Sequence, residues 1–507
     1  NIYAPVRKIS YLCDLVKRCE QQIYQHAQLN RFYKITDYSD FCERTLLNEY
    51  EVAKQSFCYL LDTIFIQNKD LIKNISEPLI YDYSNNIILA NHSLKQLNMI
   101  CIDNNYIGKL SSVVDFLTHH CATAMGKRQL KQQVLNPTSD VKSLNEKYSI
   151  IEYVKERTQL FNPVAKRLRS LFDIEKFYRK IILKNVKPID IVLLYENIQI
   201  IIGVYQSLCT DDLFSKYAER YMIEDSCNTV ASSLINTFDF TKCSADIDCN
   251  IFFKGVNPDI DDLVSNLNIN NEKLLLIRKY LESLITQEKK GKHNLVDISR
   301  TDKNGNSLLV TKRRSTLIKA TLEKIGFGKT NRQLVLENGD LFYFATDQLQ
   351  FIQSTGSKVR IENNVIKTIT RNIEVYTRQI IDAVVLKFNL YIEEFLQFRE
   401  QMMNMINYSI DLDIYISQGI MAHNYNYCSP TINTDNNDGA SFVDAKNMRH
   451  LLIEQLHQQE LYVPNDVSLG KGENGILLFG TNAVGKSSLI KGLGICVILA
   501  QSGMFVP

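Results

Sequence analysis

No proline occurs between Pro258 and Pro430 in a chain that holds nine prolines in 507 residues. Proline breaks a helix by removing an N–H and clashing with the preceding turn, so this stretch has room for unusually long helices. Ile373, Tyr376, Ile380, Val384, Phe388, Ile392 and Phe395 recur at three-to-four spacing and predict one helix over 371–400. Its polar face carries Arg378, Asp382 and Glu394. Leu263, Leu267, Leu274, Ile277, Leu281 and Ile285 predict a second helix, and Leu46, Tyr50, Ala53, Phe57, Leu60, Leu61 and Ile64 a third. Between the helix ending near Ile285 and the helix starting at Arg371 the pattern changes. Segments 293–298, 307–311, 333–336, 341–345 and 358–361 read as short strands around turns, a small β-containing insert between long helices.

A chain of this length with 45% hydrophobic and 22% charged residues exceeds one core and divides into several domains. The net charge of +2 names no partner, so any nucleic-acid surface has to be a local basic patch. Twelve cysteines without a Cys-x-x-Cys pair predict reduced thiols used for packing, in an intracellular reducing compartment. His119, His120 and Cys121 are adjacent and cannot converge on one ion. No run of about twenty uncharged apolar residues appears, which predicts no membrane span.

The chemistry sits near the end. Residues 475–479, Gly-Ile-Leu-Leu-Phe, read as a short apolar strand running into Gly480-Thr481-Asn482-Ala483-Val484-Gly485-Lys486-Ser487, a complete G-x-x-x-x-G-K-[ST]. Such a loop turns backbone N–H groups toward phosphate oxygens, which requires glycine where a side chain would block the approach. Lys486 supplies positive charge to the terminal phosphates, and Ser487 offers a hydroxyl to Mg²⁺. A helix over 488–501, opening at Ser488, points its positive end at the anion. The motif predicts a nucleoside triphosphate with Mg²⁺, most simply ATP. Upstream, Tyr462 is equally a packing residue or a stacking surface for the base.

In the insert, Lys312, Arg313, Arg314 and Lys319 are followed by Lys324, Lys329, Arg332, Lys358 and Arg360. Such a run is either a solvated face or a sequence-independent grip on phosphates. The chain starts Asn1-Ile2-Tyr3-Ala4-Pro5 and stops at Pro507, just past the first helix of a nucleotide-binding fold, which predicts a segment of something longer.

Several separated stretches resemble the MutS family of DNA mismatch-repair ATPases. Thr481-Asn482 in the loop and Leu499-Ala500-Gln501-Ser502-Gly503-Met504-Phe505-Val506-Pro507 after the helix are similar to that family's nucleotide loop and its Ala-Gln-x-Gly-x-x-Val-Pro tail. Asp115-Phe116-Leu117, then Met125-Gly126-Lys127-Arg128 and Asn136-Pro137, resemble its lever segment, preceded by Asn91 to Leu97. Gly255 with Asp259, Asp261 and Leu263, then Asn426-Tyr427-Cys428-Ser429-Pro430, then Arg449-His450 with Glu454, resemble further landmarks.

The resemblance implies a mainly α, multidomain chain: a connector remnant at 1–40, lever helices at 41–290, a β-containing clamp at 291–370, returning lever helices at 371–425, and the start of an α/β P-loop ATPase domain at 426–507. It implies ATP and Mg²⁺ held by residues 480–488, Tyr462 against the adenine, and clamp contacts to duplex DNA from Lys312, Arg313, Arg314, Lys319, Lys358 and Arg360. A dimer formed through the ATPase domains belongs to the same expectation, with mismatched or otherwise irregular DNA as substrate. A MutS-like junction-binding ATPase and another P-loop NTPase with a helical regulatory half are the alternatives. Acidic residues that complete ATP turnover are expected downstream of Pro507. Gly305-Asn306-Ser307-Leu308-Leu309 stands where many members have Gly-Tyr-Tyr-Ile-Glu, and Leu451 replaces the Pro expected after Arg449-His450, which points to a divergent branch such as those of organelles or large DNA viruses. The family's mismatch-reading Phe-x-Glu has no equivalent in context, since Phe41-Cys42-Glu43 and Phe398-Arg399-Glu400 fall in helical patterns.

Overall fold

The proline-free region does build long helices. The computed structural model describes residues 10–33, 35, 37–67, 69, 75–78, 87–101, 111–285, 295–301, 305–325, 331–346, 348–354, 356–433, 441–456, 462–470, 473, 475–482 and 484–507. Two compact units share them: Asn1–Leu183, Ile200–Tyr221 and Met403–Pro507 in one, Lys184–Gln199 and Met222–Met402 in the other.

In the second unit, helices Pro258–Ser283 and Asn364–Glu394 pack along each other. The first starts with proline at its opening position, where the missing N–H costs nothing. Gly255, at φ +95°, donates its N–H to Asp261 Oδ2 at 2.7 Å and turns the chain into that helix. The second is capped by Asn363, whose Oδ1 accepts from Ile366 N at 2.7 Å while its Nδ2 donates to Ala345 O at 2.9 Å. Ile373, Ile380, Val384, Phe388, Ile392 and Phe395 are buried as their spacing predicts, and Arg378, Asp382 and Glu394 are exposed. The helix starts earlier than 371 and gives way at Phe395–Phe398 to a 3₁₀ turn, after which Arg399–Tyr425 continues as helix.

Between the two long helices lie strands β1 (Asp297–Thr301), β2 (Gly305–Thr311), β3 (Asn331–Val335), β4 (Leu341–Ala345), β5 (Gln350–Gln353) and β6 (Lys358–Glu362). They form an antiparallel four-stranded sheet in the order β1-β2-β6-β5 and a separate β3-β4 hairpin. One apolar core, including Leu308, Val310, Phe344 and Ile361, joins the sheets to Leu274, Ile277 and Leu281 of one long helix and Ile366, Ile369 and Ile373 of the other. The predicted first strand starts at Asp297, and positions 293 and 294 lie outside the described residues. Two elements escaped the sequence pattern: β5, and the helix Lys312–Ile325, which buries Ser315, Ile318 and Leu322. The basic run Lys312-Arg313-Arg314 is therefore the first turn of a helix that directly follows β2.

In the first unit, the stripe over 46–64 is corrected. Leu46 takes φ +52° in the preceding turn, Leu46, Tyr50 and Leu60 are exposed, and the buried line of helix Glu51–Gln67 is Lys54, Cys58, Leu61 and Asp62. Cys58 and Leu61 pack with Leu15, Cys19, Leu29, Phe41, Cys42 and Leu47, and Tyr24 donates to Asp62 Oδ2 at 2.9 Å. Polar residues satisfied inside the core hid this face from an apolar count. Phe41 is core in helix Tyr38–Arg44.

Helix Pro188–Leu208 is long and apolar enough to cross a membrane by length and composition. It carries Asp190 and Glu196, and Ile191, Leu194, Ile198, Ile201 and Val204 are buried inside the protein, as in a core helix. Among the described residues the cysteines are free thiols, most of them buried.

Candidate nucleotide site and basic face

Helix Ala124–Leu135, which carries the Met125-Gly126 pair in its first turn, reaches Ser502 beyond the end of the helix that follows the loop. Asp413, almost fully buried in helix Arg399–Tyr425, accepts from Ala122 N and Thr123 N at 2.7 Å each and from Thr123 Oγ1 at 2.6 Å. Thr123 in turn caps Gly126 N at 2.9 Å. Burial pushes the Asp413 carboxyl above the usual carboxylate range, and these donors pull against it. A Cβ on Gly126 would sit 2.2 Å from Asp413 Oδ2, so only glycine permits this approach. Arg128 of the same motif forks onto Asp173 with two bonds of 2.8 Å and also reaches Glu175.

The loop at 480–487 leads into helix Lys486–Gln501, two residues earlier than the sequence predicts. Gly485 takes φ +97°, a left-handed conformation, immediately before the helix, and no side chain caps the helix N-terminus. A Cβ on Gly480 would meet Val484 Cγ1 at 3.1 Å. Lys486 Nζ donates to the carbonyl oxygens of Gly480, at 2.5 Å, and Thr481, which brings the ammonium to the mouth of the loop. Thr481, Asn482, Val484 and Ser487 are exposed, Ser488 is half-buried, and Ala483 lies outside the described residues. These features fit a phosphate ligand: Gly480 crowded by Val484, Gly485 in the left-handed conformation with open space beside it, a cation at the loop, and a helix N-terminus without a side-chain cap behind it.

Residues 475–479 are corrected. They pair with no strand among the described residues, and Ile476, Leu477 and Phe479 are exposed. An apolar strand of this kind needs hydrogen-bonded neighbours on its edges and cover on both faces, and neither is supplied among the described residues.

The far end of the same helix is held tightly. Tyr148 Oη donates to Ala500 O, Thr138 N to Gln501 O at 2.7 Å, and Gln133 Nε2 to Ser502 O at 2.6 Å. Gly503, at φ +73°, lies so close to Lys147 that a Cβ would be 2.5 Å from Lys147 Cδ. Phe505 packs edge-on to Tyr148, and Cys428 and Val506 exchange backbone bonds of 2.9 and 3.0 Å. The family-like tail is thus a docked segment. Burial pushes the Lys147 ammonium below its ordinary range, with Asp411, Asp140 and Glu146 opposing.

Around Tyr462, strands β7 (Val443–Met448) and β8 (Asn465–Leu469) pair antiparallel. Arg449 donates to Tyr425 O at 3.1 Å and Asn426 O at 2.9 Å and pairs with Glu454. His450, buried, accepts from Ile453 N at 3.3 Å, and burial holds its imidazole below the ordinary value. Tyr462 is half-buried, and burial raises its phenol while the His450 backbone hydrogen-bonds to it.

The basic residues of the insert do not form one equivalent set. Lys312, Arg313 and Lys319 are exposed, with Lys319 4.9 Å from the Phe351 ring centre. Arg314 donates to Leu295 O at 3.1 Å, Arg360 pairs with Glu362 at 2.6 Å, and Lys358 lies 3.9 Å from Asp297. Asp413, Gln133 and Tyr148 went unnoticed in the sequence, because their partners lie far away along the chain.

Known proteins match along nearly the whole length. A mutS homolog of Acanthamoeba polyphaga mimivirus is 26% identical over 90% of this chain and 44% of its own length. The mitochondrial DNA mismatch repair protein mutS homolog of Sarcophyton glaucum is 25% identical over 95% of this chain and 46% of its own. The DNA mismatch repair protein MutS of Petrotoga mobilis is 22% identical over 99% and 56%. The chain spans about half the length of the curated relatives it matches. The profile of MutS domain III matches residues 92–417, most of the chain, including the Gly126 helix, both long helices and the Asp413 anchor. With that match over more than half of its length, the chain belongs to the MutS family.

Proposed function

We propose that this chain is the clamp, lever and nucleotide-loop portion of an ATP-dependent DNA-binding protein of mismatch repair, acting on mismatched or otherwise irregular duplex DNA. The observation that carries the proposal is the loop at 480–487, with its left-handed glycine and its lysine at the mouth, built onto a MutS domain III. Gly480, Thr481, Asn482, Ala483, Val484 and Gly485 would wrap the phosphates, Lys486 would offset their charge, and Ser487 and Ser488 would stand in the first turn of the helix behind them. Bound Mg²⁺, held in part by the Ser487 hydroxyl, would neutralise phosphate charge. Tyr462 would stand against the base.

Lys312, Arg313 and Lys319 would meet the DNA backbone from the insert, giving affinity without sequence preference. Nucleotide binding would bias one of two clamp states, and a dimer through the nucleotide domains, in an intracellular reducing compartment, completes the proposal. The test is the affinity of the full-length protein for matched, mismatched and branched duplexes, with and without ATP, at two salt concentrations. A mismatch preference that ATP relaxes supports it. Preference for branched DNA moves the protein to junction binding, and no DNA binding removes the clamp assignment.

A further inference from the structure

The C-terminal end of a helix leaves its last carbonyl oxygens without partners inside the helix, and water or side chains ordinarily take them. In helix Lys486–Gln501 the three carbonyls at and beyond that end, of Ala500, Gln501 and Ser502, each accept a bond from the segment 133–148, from Tyr148 Oη, Thr138 N and Gln133 Nε2, and Ala500 O accepts a second bond from Gly503 N at 2.9 Å. Along its length the same helix lies against Leu97, at the end of helix Asn91–Gln96, since a Cβ on Gly494 would touch Leu97 Cδ2 at 3.0 Å. Beyond the end, Gly503 and Phe505 close over Lys147, Tyr148 and Lys155, the Lys155 Nζ lying 5.3 Å from the Phe505 ring centre.

We infer that Gln133 and Tyr148 are positioning residues that make the far end of the P-loop helix a coupling joint: the cap they form transmits nucleotide occupancy at Gly480–Ser487 to the helices Ala124–Leu135 and Val141–Glu156. The inference rests on the proposed nucleotide function of that loop. A helix of 16 residues is about 24 Å long and stiff along its axis, so its two ends move together. A displacement imposed at the phosphate end either carries the helices 124–135 and 141–156 with it or breaks the cap. Helix Ala124–Leu135 is itself fixed at its start by Asp413, within the long helix Arg399–Tyr425, so the displacement has a rigid path onward. Neither Gln133 nor Tyr148 belongs to the loop, and their role is confined to where the helix ends.

The test uses the full-length protein with Tyr148→Phe, which keeps the ring on Phe505 and removes only the donor, with Gln133→Ala, and with both changes. Three quantities are measured: the Kd of a fluorescent ATP analogue, the ratio of duplex-DNA affinities with and without a non-hydrolysable ATP analogue, and Tm. The expected result is a nucleotide Kd within about 3-fold of the parent and a nucleotide-induced DNA-affinity ratio reduced about 2- to 10-fold per lost hydrogen bond, more in the double variant. An unchanged ratio in the folded double variant overturns the joint and leaves the cap purely structural. A nucleotide Kd weakened as much as the ratio also overturns it, because the residues would then shape the loop itself. A parent protein whose DNA affinity ignores nucleotide contradicts the proposed function instead, so the two failures are distinct.

Discussion

Replacing Gly126 by alanine tests whether the Met125-Gly126 landmark is a packing requirement or only a helix start. The added methyl would lie 2.2 Å from Asp413 Oδ2, 2.8 Å from its Cγ and 3.0 Å from Thr123 Oγ1. The carboxylate cannot yield easily: it is buried and holds Ala122 N, Thr123 N and Thr123 Oγ1 at 2.6 to 2.7 Å. Alanine in a helix gains about 1 kcal/mol over glycine. Hydrogen bonds to a charged group contribute about 1.5–3 kcal/mol each, so losing two and regaining the helix term leaves a net cost of about 2–5 kcal/mol. Because the chain has two units, hydrogen exchange of the amides in 122–135, read by mass spectrometry, is a better assay than a single Tm. Protection there should fall sharply in Gly126→Ala, and adding Gly126→Ala to Asp413→Ala should cost much less than Gly126→Ala does alone. Equal or greater protection in Gly126→Ala would refute the steric account.

Lys486→Ala should abolish binding of ATP analogues in equilibrium dialysis while leaving the fold intact, because the loop loses its only lysine at the mouth. Reversing Lys312, Arg313 and Lys319 to Glu should weaken DNA binding about equally across sequences and flatten the slope of log affinity against log salt by about 2 to 3, whereas Arg360→Gln, already paired with Glu362, should change it little; a sequence-selective loss would count against backbone contact. His450 is buried with its pKa depressed below the unfolded value of about 6.5, so its contribution to stability is present above that pH and is lost as pH falls through the folded pKa. His450→Asn, which keeps a cap acceptor for Ile453 N, should therefore flatten the acid side of the stability profile below the ordinary histidine pKa of about 6.5, read by thermal unfolding.

Much was legible in the order of residues because it depends on local rules. The proline gap and the stripe from Ile373 to Phe395 specify a long helix, since helix formation needs only a regular apolar face and no breaker. The G-x-x-x-x-G-K-[ST] string specifies the loop, since its left-handed glycine and lysine act within eight residues of one another. Tertiary structure decided the rest. Polar groups satisfied inside a core, such as Asp62 beside Tyr24, moved the buried face of Glu51–Gln67 away from its apolar stripe. The ion pair with Glu362 within β6 separated the half-buried Arg360 from the exposed cations of the insert, although all of them read alike as basic letters. The segment 475–479 has a strand's composition without a strand's hydrogen bonds, because pairing depends on a neighbour and never on one segment alone. Gly126 needed Asp413, and the end of helix Lys486–Gln501 needed Gln133 and Tyr148, pairs that stand hundreds of residues apart and meet only because the folded chain brings them into contact.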